Sequence, residues 1–231
     1  GYSADQTLQL VQSLYEKKVS TYPRVDTTFL PDDVYPKCGQ IMNGLKEYFH
    51  LMDRIKGQKL RKDKKFFDNS KVTDHHAIIP TQSMALGNLT DLPTGEMDVL
   101  QLVCVRLLCA VGNPHTWDET TVRLDCEGVP FTAKGKTVKQ MGWRIPETVY
   151  QGSVGERISK EETEREYAIP ELQAGQELAP VVATIKEGKT TPPKHYTEDS
   201  LLAAMESAGA EEAPEDAERR GVGTPATRAA V

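Results

Sequence analysis

The sequence predicts an α+β protein, and three observations carry that reading. Through residue 112 the apolar residues recur mostly at the three-to-four spacing of helices packed on a core. From Thr116 the period changes, and a Gly turn between two apolar-polar runs reads as a hairpin. At Tyr196-Thr197-Glu198-Asp199-Ser200 a helix-start signal returns. With 231 residues, 38% hydrophobic and 27% charged, the chain has the composition of a globular protein able to bury a core in one large or two small domains.

Residues 5–18 form the first amphipathic helix, with Leu8, Val11 and Leu14-Tyr15 on one face. Pro23 is expected to break it, because proline drives the residue before it out of the helical region. A second helix is predicted over 32–52, capped by Asp32, with a stripe of Val34, Cys38, Ile41, Leu45 and Phe49 or Met52. A basic loop over 54–65 follows, and Phe66-Phe67 re-enters the core. Residues 95–112 give a wide apolar stripe ended by Gly112. The hairpin places Thr120–Cys126 against Val129–Ala133 around Glu127-Gly128. Gly142-Trp143, Val149-Tyr150 and residues 178–185 are read as further strands, 161–166 as a charged loop and 186–194 as a Pro-rich connector. Thr197 then caps a helix with Leu201-Leu202 and Met205 facing inward and Gly209 closing it. An acidic stretch over 210–220 precedes Gly221-Val222-Gly223-Thr224-Pro225, a helix start with Thr as cap and Pro in the first position.

Charge and special residues narrow the function. The net charge of −6 is unlike that of a dedicated nucleic-acid binder, but residues 1–80 hold 13 Lys and Arg against 10 Asp and Glu. The basic share concentrates in 54–65, which includes Lys59, Arg61, Lys62 and Lys64 as candidate phosphate contacts; the bland reading is a solvated loop. Cys38, Cys104, Cys109 and Cys126 form no C-x-x-C pair, so no zinc site is predicted and a reducing, intracellular compartment fits. Asp125 and Glu127 read as solvated turn residues rather than metal ligands. No apolar run of about eighteen residues and no secretory leader is present. The chain opens Gly1-Tyr2-Ser3 and stops within a helical pattern at Val231, so it reads as an excised piece of a longer protein.

Two stretches carry chemistry. In Thr21-Tyr22-Pro23-Arg24-Val25-Asp26 a phenol sits two residues from a guanidinium, the side chain best shaped to fork phosphate oxygens. Tyr22 there is either a nucleophile aimed at an anion or a half-buried aromatic at a helix end. In His75-His76-Ala77-Ile78-Ile79-Pro80-Thr81 the adjacent histidines diverge too far to share one ion, which leaves one satisfied and one exposed imidazole as the bland reading. At the end of the chain, free N–H groups at the helix start and Arg228 suit an anion, or simply make a structural cap.

Together these stretches resemble the type IA DNA topoisomerases. Leu14-Tyr15-Glu16 with Thr21-Tyr22-Pro23-Arg24-Val25-Asp26 resembles the family's active-site segment, departing at Val25 and Thr27, where Thr and Ser are usual. His75-His76-Ala77-Ile78-Ile79-Pro80-Thr81 is similar to the form of the topoisomerase III branch, and the segments around Thr197 and Gly221–Thr227 resemble the start of the family's DNA-cradling region. Thr224 and Arg228 depart from the Arg and Tyr often found there.

The resemblance implies that Tyr22 attacks one DNA strand and keeps the 5′-phosphate, with Arg24 steadying the phosphate and His75 positioning or protonating near it. It implies a helical, winged-helix-like tyrosine domain over residues 1–100, a mainly β arch segment over 101–193, and the start of a helical DNA-cradling domain over 194–231. Lys59, Arg61, Lys62, Lys64, Thr224 and Arg228 would be its DNA contacts. Mg²⁺ would be bound by an acidic Toprim domain in the N-terminal half, which is absent from this sequence, so the isolated piece is expected to be inactive. The implied partners are single-stranded DNA and that N-terminal half, with no membrane and no nucleotide cofactor, in the bacterial cytoplasm. The alternatives are a winged-helix single-strand-binding module in which Tyr22 only packs, and a tyrosine relaxase or replication nuclease. Adjacency of His75 and His76 disfavours the relaxase, which needs one residue between them.

Overall fold

The computed structural model describes residues 1–25, 27–48, 60–83, 89–154, 169–182, 184–209 and 221–230. It is a mixed helix and sheet structure: α1 (Ala4–Glu16), α2 (Tyr35–Tyr48), α3 (Thr94–Val111), β1 (Thr116–Cys126), β2 (Val129–Gln140), α4 (Arg144–Ser153), α5 (Glu198–Ser207) and α6 (Pro225–Ala229). The strands form one antiparallel two-stranded sheet.

Helix α1 starts on a capping box in which Ser3 accepts from the Gln6 N–H and the Gln6 side chain accepts from the Ser3 N–H. It does not run to Lys18 or wait for Pro23 to stop it. The chain turns at Lys18, which takes φ 62°, while the Val19 N–H donates to the Leu14 carbonyl and the Lys18 N–H to that of Tyr15. This is a Schellman closure with lysine where glycine is usual, and its characteristic apolar contact is supplied by the buried pair Leu14 and Val19. One core is built from α1, α2, α3 and the segments between them: Leu14, Cys38, Leu100, Cys104, Val105 and Val111 are all essentially inaccessible. A polar tie crosses it, because buried Glu96 on α3 takes the Ser13 hydroxyl at 2.8 Å and the Lys17 ammonium at 2.5 Å.

Several local expectations change in three dimensions. Pro31, not Asp32, is the cap of the short 3₁₀ turn that precedes α2, and the Asp32 carboxylate instead meets Lys62 at 2.7 Å. Gly112 ends α3 in extended backbone (φ −73°). What favours glycine there is crowding, since a Cβ would stand 3.0 Å from the Leu108 carbonyl oxygen. Phe67 is buried as expected, whereas Phe66 stays exposed. The hairpin is longer than predicted, with Glu127 and Gly128 at positive φ in its two-residue turn. Gly142-Trp143 is a turn and Val149-Tyr150 lies in α4, not in strands. Pro146 falls in the first turn, where its missing N–H does no harm, and Val149 and Tyr150 pack on the core. Among the described residues, 178–182 and 184–185 form no strand: Ile185 is 97% exposed, with no ladder to join. Leu201 is also exposed, while Leu202 and Met205 are partly covered. The last turn of the predicted second helix, residues 54–59 with Lys59, and stretches 161–166 and 210–220 lie outside the described residues.

Candidate active site

The two chemistry-bearing stretches meet. After the Schellman turn the chain runs extended, and residues 19–21 pair with residues 79–81. The Thr21 N–H donates to the Ile79 carbonyl at 3.0 Å, and the Thr81 N–H to the Val19 carbonyl at 3.1 Å. Side chains reinforce this register. The Thr21 hydroxyl oxygen accepts from the Ile79 N–H at 3.0 Å across 58 residues of sequence, and the Thr81 hydroxyl donates to the Lys18 carbonyl at 2.5 Å. Further on, the Ala77 N–H donates to the Phe29 carbonyl, and Leu30 pairs with Phe66 and Asp68. The tyrosine segment is thus held between two others.

This register sets Tyr22 against His75, ring centroids 4.4 Å apart and planes inclined by 35°. No hydrogen bond joins the two side chains among the described residues, so the imidazole lies over the phenol ring and not on its hydroxyl. Tyr15, from the last turn of α1, meets the same phenol edge-on at 5.4 Å. Tyr22 is half-buried, Pro23 beneath it is buried, and Arg24 is exposed with no acidic partner among the described residues. His76 points elsewhere and its Nδ1 meets the Ala77 carbonyl at 2.8 Å, so the two imidazoles do part as adjacent residues should. Thr27, where the resemblance expects Ser, accepts from the Phe29 N–H at 3.1 Å and donates to the Lys71 carbonyl at 2.8 Å.

With the geometry in place, comparison with known proteins decides the family. The DNA topoisomerase family profile matches residues 1–231. The chain belongs to the DNA topoisomerase family. It is 36% identical over 242 residues to DNA topoisomerase 3 of Bacillus subtilis (strain 168), and equally to that of Bacillus licheniformis, with the whole chain covered in each. It is 32% identical over 210 residues to a DNA topoisomerase 3 of Bacillus cereus, a match that covers 90% of this chain. The chain spans 32% of the length of the Bacillus subtilis relative. The resemblance to type IA enzymes on the topoisomerase III side therefore holds.

Within this topoisomerase chain the other predicted contacts are dispersed. Arg61 and Lys62 engage Asp63 at 3.2 Å and Asp32 at 2.7 Å in exposed pairs, and Lys64 is exposed. At the far end the Thr224 hydroxyl is occupied in capping α6, accepting from the Thr227 N–H at 3.2 Å. Arg228 is buried, its guanidinium donating to the Gly223 carbonyl at 3.0 Å. Sequence reasoning missed Tyr15, Thr21 and Thr81. All three lie inside the quoted motifs, and a threonine beside the tyrosine and another closing the Pro-Thr pair were the available signals.

Proposed function

We propose that this chain supplies the tyrosine side of a centre that cuts and reseals one DNA strand, with no need for ATP. The observation that carries it is the packing of Tyr22 on His75 by two segments paired across 58 residues, in a chain of the topoisomerase family. The Tyr22 oxygen attacks a backbone phosphorus, the bond from phosphorus to the 3′-oxygen breaks, and a 5′-phosphotyrosine forms. The phenol proton leaves as the nucleophile engages, and the departing 3′-oxygen gains one. Passage of a strand followed by the reverse attack restores the phosphodiester, and its bond energy is kept in the ester throughout. Arg24, exposed two residues on, forks the non-bridging oxygens. The His75 imidazole, beside the phenol ring, serves proton transfer at the phosphate and leaving oxygen.

The family resemblance implies Mg²⁺. Among the described residues no group of three or more His, Cys, Asp or Glu converges, so these residues do not fit a metal site. In this reading the domains divide at about residues 100 and 193, and the partner is a single strand. Lys59, Arg61, Lys62 and Lys64 then serve as its phosphate contacts, while Thr224 and Arg228 brace the loop over 221–224. A cytoplasmic place is supported by the bacterial relatives; among the described residues no helix is long and apolar enough to cross a membrane.

The test is adduct trapping in a polypeptide of the relatives' full length containing this chain. A single strand labelled at its 3′ end becomes protein-bound on denaturation, and Tyr22→Phe abolishes the labelled band while changing stability by no more than about 1 kcal/mol. A band that survives in Tyr22→Phe refutes the assignment. Strand binding without any adduct favours the binding-module reading.

A further inference from the structure

One large concavity among the described residues lies outside this chemistry except for Arg61, which it shares with the strand contacts proposed above. A groove of about 1180 Å³ opens beside the segment that follows the tyrosine, at Val25, Thr27 and Thr28, and reaches the base of the hairpin. It exceeds the roughly 300–1,000 Å³ that encloses a drug-sized ligand, which leaves room for several linked units of a chain. Its hairpin end is aromatic: Trp117 on β1 is 42% exposed, Trp143 caps α4, and the His115 ring stands 5.3 Å from the first indole and 6.5 Å from the second. Its charge is one-sided, since Arg61, Lys65, Arg106 and Arg144 line it against the single carboxylate of Asp63. In a chain of net charge −6 that local excess of cations stands out.

Cations and aromatic rings are also placed together. Lys136 Nζ lies 4.7 Å over the Trp117 ring, and the Arg144 guanidinium 5.7 Å over that of Trp143. Arg61 and Arg106 pair with Asp63 and Glu147 at 3.2 and 3.1 Å, but both arginines are well exposed, and such pairs exchange readily for a phosphate. An apolar peptide would leave the cations unused, and free phosphate would leave the indoles unused. Duplex DNA stacks its own bases away from any side chain. An unpaired strand offers base faces and phosphates in alternation.

We propose that this groove is a second single-strand subsite, separate from the cleavage centre, which holds a short run of unpaired nucleotides. Bases stack on Trp117 and Trp143, and phosphates lie toward Lys65, Arg106 and Arg144. The subsite does not depend on Tyr22 being the nucleophile.

The chain has two tryptophans and both line the groove, so its tryptophan emission, excited at wavelengths where the tyrosines do not absorb, reports on this place alone. Titrating an oligo-dT strand into the chain quenches that emission to saturation, and added salt weakens the effect. An abasic strand of equal length, with phosphates but no bases, gives little quenching. Trp117→Ala, at an exposed position, weakens binding of a dye-labelled oligo-dT about tenfold. Trp143→Phe keeps an aromatic face and weakens it less. Tyr22→Phe leaves the quenching intact, so failure of the subsite and failure of the cleavage assignment are separate results. Unchanged emission on addition of oligo-dT, equal quenching by the abasic strand or by a duplex, or unaltered affinity in Trp117→Ala would each overturn the proposal. The first of these results would leave the groove to a polypeptide segment.

Discussion

Replacing Thr21 by Val tests whether the pairing of two distant segments places the tyrosine. Valine keeps the shape and removes the hydroxyl. The Ile79 N–H, 3.0 Å from that oxygen and part of a buried residue, loses its acceptor. The second contact of the hydroxyl, to the Ala77 carbonyl at 3.5 Å, is too long to matter much. A buried donor left without a partner costs about 1–3 kcal/mol, so a loss of about 2 kcal/mol is expected. With a slope of about 1–3 kcal/mol per molar urea, the midpoint falls by about 1 M. Circular dichroism during urea titration reads this directly, and Thr21→Ser, which keeps the hydroxyl, should recover more than half. In the longer polypeptide the same substitution should slow adduct formation, because Tyr22 is the next residue, and serine should restore it. No loss in Thr21→Val, with the loss falling on Thr21→Ser instead, would mean that the methyl group matters and the hydrogen bond does not. That result would refute the reasoning.

Lys18→Gly should raise stability by about 1 kcal/mol in thermal melts, because it relieves a left-handed backbone at a non-glycine residue, whereas Lys18→Ala should not. Lys17→Met leaves the buried Glu96 carboxylate with Ser13 as its partner and should cost about 1–3 kcal/mol, less than for a fully buried pair because the Lys17 side chain is 43% exposed. Adding Glu96→Gln should return part of the loss in a double-mutant cycle. A thiol reagent at pH 8 should label Cys126 rapidly, half-buried Cys109 slowly, and Cys38 and Cys104 only on unfolding. Burial pushes the Cys38 thiol up to about 11 and that of Cys109 to about 12, and raises Cys104 further. These protons are held more tightly in the folded state, so stability should fall as pH rises above the free-thiol value of about 8.5, where only the unfolded chain ionises. Two fast thiols in the native chain would contradict that burial.

The sequence by itself determined what is decided within a turn or two of backbone. The apolar spacing of Val99, Leu100, Cys104 and Leu107 dictates a helix and its buried side, and the Thr197 and Thr224-Pro225 starts are capped as their residues require. Glu127-Gly128 turns a hairpin because both positions adopt positive φ. The motif residues and their order also pointed to the family before any fold was in view. Tertiary structure decided the rest. Whether Val149 lay in a strand or a helix depended on a core to cover it, and residues 178–182 and 184–185 have no strand partner among the described residues. Arg228 looked like a free cation until its guanidinium folded back on Gly223. The setting of Tyr22 against His75 and Tyr15 rests on the bonds from Thr21 and Thr81 to Ile79, Val19 and Lys18. Those bonds join segments far apart in the chain. Periodicity and capping express only interactions between near neighbours, and which distant N–H meets which carbonyl is settled only when the core closes around both.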